Sequence, residues 1–215
     1  MQATERRCRL YLITPPDLAP DDFAPSLAEA LDGGDVACVQ LRMPDADDEV
    51  LVRAARTLMP ICRERDVAFL VNGHIDVAAG LDVDGVHIGR AEGVAEARAR
   101  LGDDVIVGVS CGGSRDTAIR AGEAGCDYVS FGALFASTTL PDADIVATDV
   151  VAWWSDLMVV PCVAVGGLTP ANCANAVVAG ADFIAVSAAV WNDPKGPGAA
   201  VAAFNAAIER VRATC

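Results

Sequence analysis

Two short segments of this sequence are the best equipped to hold an anion: Gly166-Gly167-Leu168-Thr169 and Val186-Ser187-Ala188-Ala189. Adjacent glycines let backbone N–H groups approach an oxyanion closely, and a helix starting after Ser187 adds the positive end of its dipole. Gly166, Gly167, Val186 and Ser187 are therefore expected to form a phosphate cup. The plain alternative is that the glycines only make a tight turn.

A second set of groups could meet such a ligand. In Gln40-Leu41-Arg42, strand alternation sends Gln40 and Arg42 to the same side, and a guanidinium at a strand end is a natural oxyanion ligand. Asn72-Gly73-His74 and His87-Ile88-Gly89-Arg90-Ala91-Glu92 offer amide, imidazole, guanidinium and carboxylate groups. Neither histidine has a metal-ligand partner at helical spacing, so each reads first as a satisfied barrel or loop residue. Ser110-Cys111-Gly112-Gly113-Ser114 resembles an anion nest opening a helix, with Ser114 as a simple N-cap the alternative. Ser137-Thr138-Thr139-Leu140 lies in the longest loop, 132–147, which is polar enough to close over a ligand.

These groups need a frame that brings strand ends together. Strands are expected at Leu10–Thr14, Ala37–Arg42, Ala68–Asn72, Gly85–Ile88, Val105–Ser110, Tyr128–Phe131, Cys162–Val165 and Phe183–Val186. Helices are expected at Pro25–Leu31, Glu49–Glu64, Asp76–Leu81, Val94–Leu101, Ser114–Ala124, Thr148–Leu157, Ala171–Ala179 and Gly198–Val211. Strict alternation of apolar strands with helices demands parallel pairing with helices outside. Eight units without a composition shift predict one closed (β/α)₈ TIM barrel over 1–215, an open doubly wound sheet being the alternative. Three helix exits, at Gly33-Gly34, Gly125 and Gly180, each place glycine as a left-handed cap and an aspartate before the next strand. Chemistry then belongs at the opposite rim, after each strand.

A formal net charge of −14 argues against nucleic-acid or anionic-membrane partners. No apolar window approaches the roughly 18 residues of a membrane span, and the first ten residues lack a secretory apolar stretch, so a soluble cytoplasmic protein is expected. The eight cysteines form no C-x-x-C pair and read as reduced, semi-buried thiols; Cys111, just past a strand end, is the exception to test. Trp153, Trp154 and Trp191 are candidates for an apolar contact in a homodimer, with core packing or barrel capping the alternative.

LYLIT, VQLR, LVNGHIDVAAGLDVDGVHIG, VGVSCGGSRDTAIRAGEAGCDYVSFGALF and VAVGGLTPANCANAVVAGADFIAVSA follow one another from about Leu10 to Val190. In order and spacing they resemble the thiamine phosphate synthase family. The resemblance implies a transferase of thiamine biosynthesis that joins hydroxymethylpyrimidine pyrophosphate to hydroxyethylthiazole phosphate, releasing pyrophosphate with Mg²⁺. It assigns Ser137, Thr139, Gly166, Gly167, Val186 and Ser187 to the thiazole phosphate. Gln40, Arg42, Asn72 and Ser110 fall on the pyrimidine side, with Arg42 and Ser110 catalytic.

The same comparison exposes departures. Pro44 stands where the family pattern has a lysine two places after the arginine, and Gly73 where an aspartate follows the asparagine and helps hold Mg²⁺. Glu92 takes the place of the second metal aspartate, leaving it as a weak metal ligand, and Leu140 that of the lysine closing the long loop. The sole lysine is Lys195, beyond the last strand, so Arg90 is the candidate compensating cation. A sister branch isomerises a thiazole carboxylate phosphate with a histidine after the fifth strand, where this chain has Cys111-Gly112-Gly113. Two other readings therefore stay open: a catalytically lapsed paralogue that binds thiazole phosphate or another small phosphate ester in a regulatory or isomerase-like role, and a different sugar-phosphate isomerase or lyase on the same scaffold.

Overall fold

The structure, a computed structural model, describes residues 8–137 and 141–214. Its strands are β1 (Arg9–Ile13), β2 (Val36–Leu41), β3 (Ala68–Asn72), β4 (Gly85–Ile88), β5 (Ile106–Ser110), β6 (Tyr128–Phe131), β7 (Cys162–Val165) and β8 (Phe183–Val186). They pair in sequence order, all parallel, and β8 returns to β1 to close the barrel. The helices are α1 (Pro20–Asp32), α2 (Asp48–Arg63), α3 (Ile75–Ala79), α4 (Gly93–Leu101), α5 (Arg115–Glu123), α6 (Asp149–Leu157), α7 (Ala174–Val178), α8 (Ala188–Trp191) and α9 (Pro197–Arg212). The expected (β/α)₈ barrel is thus the fold.

Two helix starts need correction: α7 begins at Ala174 rather than Ala171, with residues 171–173 forming a turn. α1 begins at Pro20 rather than Pro25, because Pro20 sits in the first turn where its missing N–H costs nothing, and Pro25 is absorbed inside the helix.

Alternation divides the core in two. One face of each strand packs outward with the helices in a continuous apolar shell. The other lines the barrel, where Tyr11, Cys38, Leu70, Tyr128, Val163 and Ala185 form a separate interior cluster. Gly108 makes room in it: a Cβ there would lie 1.9 Å from the Tyr128 ring, so only glycine lets that ring cross the barrel.

The end away from the expected chemistry is clasped by aspartates. Asp84, Asp127 and Asp182, each just before an even-numbered strand, accept from the N–H of Phe69, Val107 and Cys162 on the preceding strand, at 2.7, 2.6 and 2.9 Å. Asp35, before β2, instead pairs with Arg9 at 2.7 Å. Gly125 and Gly180 are left-handed, at φ +85° and +90°, as the helix exits predict. Gly33 is not, at φ −75°; it is required because a Cβ would fall 2.4 Å from the Gly198 carbonyl oxygen of α9.

The tryptophans serve packing. Trp154 is buried and donates to the Val160 carbonyl at 2.7 Å, and Trp153 stacks beneath the Arg115 guanidinium. Trp191 donates to the Ile13 carbonyl at 2.7 Å and meets Phe23 edge-on, tying α8 to the end of β1. Among the described residues no helix is long and apolar enough to cross a membrane. The seven described cysteines are buried and unbridged. Burial pushes the Cys111 thiol up to about 12, which favours the protonated form at neutral pH.

Candidate active site

Two strand ends and the loop 132–137 build the cup. Gly166 and Gly167 have φ of +97° and +61°, the left-handed region that glycine adopts at no steric cost. The glycines answer a second need as well. A Cβ on Gly166 would sit 2.5 Å from Ala133, and one on Gly167 2.3 Å from the Ala136 carbonyl oxygen, so the long loop lies directly on the turn. Asn172, which the sequence reading passed over, clamps the turn from outside: it accepts from Thr169 N–H at 2.7 Å and donates to the Gly167 carbonyl at 3.0 Å. Among the described residues the N–H groups of Gly167, Ser187 and Ala188 have no acceptor. Gly167, Ser187 and Ala188 line a cavity of about 350 Å³, together with Ser137, Val186 and Arg42. Thr139 and Leu140 lie outside the described residues.

A second cavity of about 280 Å³ occupies the upper barrel. Gln40, Arg42, Asn72, Ser110, His87 and Tyr128 line it. It shares Ile13, Arg42, Val165 and Ala185 with the cup, so the two are compartments of one site with Arg42 at the junction. Thr14 seats that residue, accepting from the Arg42 N–H at 3.0 Å. The Arg42 guanidinium has no partner among the described residues.

Inside this compartment five polar side chains form one continuous chain. Gln40 donates from Nε2 to Asn72 Oδ1 at 2.7 Å and accepts on Oε1 from the Tyr11 hydroxyl at 2.7 Å. The Tyr11 and Tyr128 hydroxyls meet at 2.9 Å, and Tyr128 meets His87 Nδ1 at 2.9 Å. His87 stacks on the Tyr128 ring, and burial lowers its pKa from the usual 6.5 to about 4, so the imidazole is neutral at physiological pH. Tyr11, Tyr128 and Gly108 were not among the residues expected from sequence. The signals were there: Tyr11 has the parity of the inward Ile13, and a glycine inside a strand marks a close approach.

The groups on the far rim do not converge as the cup does. Arg90 is exposed and lines a third, polar cavity of about 360 Å³ that shares Gly73 and Gly89 with the barrel compartment. That cavity is acidic, with Asp48, Asp76 and Glu96 on its walls. Asp48 meets His74 at 3.1 Å, and Asp76 pairs with Arg100. Glu92 is 69% exposed and lies 3.8 Å from Arg120 of α5. Beyond Gly73, where a Cβ would stand, the space is open. Among the described residues no three carboxylate, imidazole or thiol groups are placed to hold a metal ion.

The fold is a closed (β/α)₈ barrel whose glycine-lined cavity at the ends of β7 and β8 opens into a polar barrel pocket. The family described as thiamine monophosphate synthase matches residues 10–190. The chain is 53% identical over 199 residues to a thiamine-phosphate synthase of Rhodospirillum centenum, covering 92% of this chain and 96% of that one. It is 45% identical over 209 residues to one of Erythrobacter litoralis, covering 95% and 97%. Among solved structures, a thiamine phosphate pyrophosphorylase from Pyrococcus furiosus superposes with a TM-score of 0.84 at 29% identity, covering 96% of this chain and 98% of that one. The chain belongs to the thiamine monophosphate synthase family.

Proposed function

We propose that this protein joins hydroxymethylpyrimidine pyrophosphate to hydroxyethylthiazole phosphate, releasing pyrophosphate, and that the two-compartment pocket meeting at Arg42 carries the reaction. The N–H groups of Gly167, Ser187 and Ala188, with Ser137, hold the thiazole phosphate, because oxyanions bind most strongly where several fixed donors point at them. Thr139 completes that seat by family resemblance. The barrel compartment takes the pyrimidine ring among Gln40, Asn72 and Ser110. Seating the two rings in adjoining compartments turns a bimolecular encounter into a positioned one.

The bond-making step needs no covalent enzyme intermediate. The thiazole nitrogen lone pair forms the new C–N bond to the pyrimidine methylene as the C–O bond breaks, and both electrons of that bond leave with pyrophosphate. The guanidinium of Arg42 stabilises the charge that develops on the leaving group, and Ser110 donates to the pyrimidine side. Arg90 supplies a second, weaker positive charge from the rim, opposed by the carboxylates around it.

Mg²⁺ is the cation implied by the family for this leaving group. The described residues do not fit a protein-held Mg²⁺: Glu92 faces Arg120, Gly73 offers no ligand, and Asp48 and Asp76 have basic partners. With Pro44 in place of a lysine, this protein expels pyrophosphate chiefly with guanidinium groups. The substitutions also favour a second reading, a lapsed paralogue that binds thiazole phosphate without turnover.

Calorimetric titration tests the two-compartment reading. Hydroxyethylthiazole phosphate should bind at one site per chain, and a non-reactive pyrimidine alcohol should then bind alongside it. Mutual exclusion of the two would overturn the proposal.

A further inference from the structure

The chain from His87 through Tyr128, Tyr11 and Gln40 to Asn72 obeys a counting rule. Each tyrosine hydroxyl carries one proton and a neutral imidazole carries one, on either nitrogen. The three contacts His87–Tyr128, Tyr128–Tyr11 and Tyr11–Gln40 need one proton each. With Tyr11 donating to Gln40 Oε1, its oxygen must accept from Tyr128, and the Tyr128 oxygen must accept from His87. Only the tautomer protonated at Nδ1 meets that need. The reverse direction requires the amides of both Gln40, which is 3% exposed, and Asn72 to turn over together with both hydroxyls. A mixed direction leaves two oxygens facing each other without a proton, at about 1–3 kcal/mol for each such buried group.

The consequence appears at the two ends, both of which line the barrel compartment. His87 Nε2 is left as a bare acceptor, and no buried side-chain nitrogen or oxygen among the described residues lacks a partner, so this atom is open to the cavity. Asn72, accepting on Oδ1, keeps its amide N–H groups as donors.

We propose that His87 is a specificity-determining residue: held as an obligatory acceptor by the Tyr128–Tyr11–Gln40 relay, it takes the exocyclic amine of a heteroaromatic ligand and rejects a ring carbonyl at that position. Asn72 offers the complementary donor on the other side. Tyr11 and Tyr128 are positioning residues that act through His87. The ligand class rests on the synthase reading above; the tautomer does not.

Nitrogen-15 NMR of the His87 ring in the intact protein, with and without ligand, tests this directly. The expected spectrum shows protonation at Nδ1, and Tyr11→Phe, which removes no contact of His87 itself, should shift the ring toward the other tautomer. Calorimetry should show the aminopyrimidine alcohol binding on the order of 10- to 100-fold more tightly than its oxo analogue. That ratio should fall to within about threefold in Tyr11→Phe and in Tyr128→Phe, each verified as folded by its thermal transition. Protonation at Nε2 in the unaltered protein, or an unchanged ratio in both variants, would overturn the relay. A correct tautomer with neither pyrimidine bound would instead overturn the synthase reading and the ligand class with it.

Discussion

The phosphate cup and the opposite rim are built from different materials. At the ends of β7 and β8 the groups offered to a ligand are backbone N–H groups, held by glycine conformations, by the Asn172 clamp and by Trp191. At the ends of β2, β3 and β4 they are side chains, and there Pro44 and Gly73 stand where the family resemblance implies a lysine and an aspartate. A backbone cup is specified by conformation and survives most substitutions around it. A side-chain rim changes with each one. On the proposed reading, binding one phosphate and expelling another are separable properties of this barrel, joined by Arg42.

The largest effect should come from breaking the cup. Gly167→Ala forces a side chain into φ +61° and against the Ala136 carbonyl. With two charge-assisted bonds lost, calorimetry should show thiazole-phosphate affinity falling on the order of 100-fold or more. Unchanged affinity would leave the cup a mere turn. Next is the junction: Arg42→Ala should lower kcat by about 10², with Arg42→Lys recovering only part. Equal loss of thiazole-phosphate binding and kcat would place Arg42 wholly in the cup.

Gly108→Ala should displace the Tyr128 ring and cost about 1–3 kcal/mol of stability, read as a lower Tm. Pyrimidine binding should weaken while thiazole-phosphate binding holds. Arg90→Ala should reduce kcat by less than about tenfold, because the guanidinium is exposed and surrounded by carboxylates. A larger loss would make the rim, and not Arg42, the main charge stabiliser.

The smallest effect is a pH dependence. His87 has a folded pKa of about 4, below the usual 6.5, so between those values the unfolded chain holds the extra proton. Its contribution to stability is flat above about 6.5 and is lost as pH falls toward 4. Denaturant titrations at several pH values should show that slope, and His87→Asn should remove part of it.

Much of the frame was legible in the sequence because both glycine and aspartate mark strand ends. β3, β4, β6, β7 and β8 fall where their apolar runs put them, and Gly166-Gly167 with Ser187 came together as expected. Gln40 and Arg42 do share a side, as alternation requires. The relay as a whole was not legible, because it joins residues 29 and 117 positions apart and depends on which way rings point across the barrel, even though the parity of Tyr11 and the in-strand Gly108 hinted at its parts. Asn172 was hidden for a related reason: it is defined by what it holds. Sequence likewise left open whether Arg90 reaches the space beside Gly73; the two line one cavity, but an acidic one.

The central claim is that a barrel with an intact cup and an altered rim still joins two rings. Incubating the purified protein with hydroxymethylpyrimidine pyrophosphate and hydroxyethylthiazole phosphate, and separating the products by chromatography, tests it most directly. Thiamine phosphate and pyrophosphate should appear in equal amounts, and no product at high protein concentration would contradict the account.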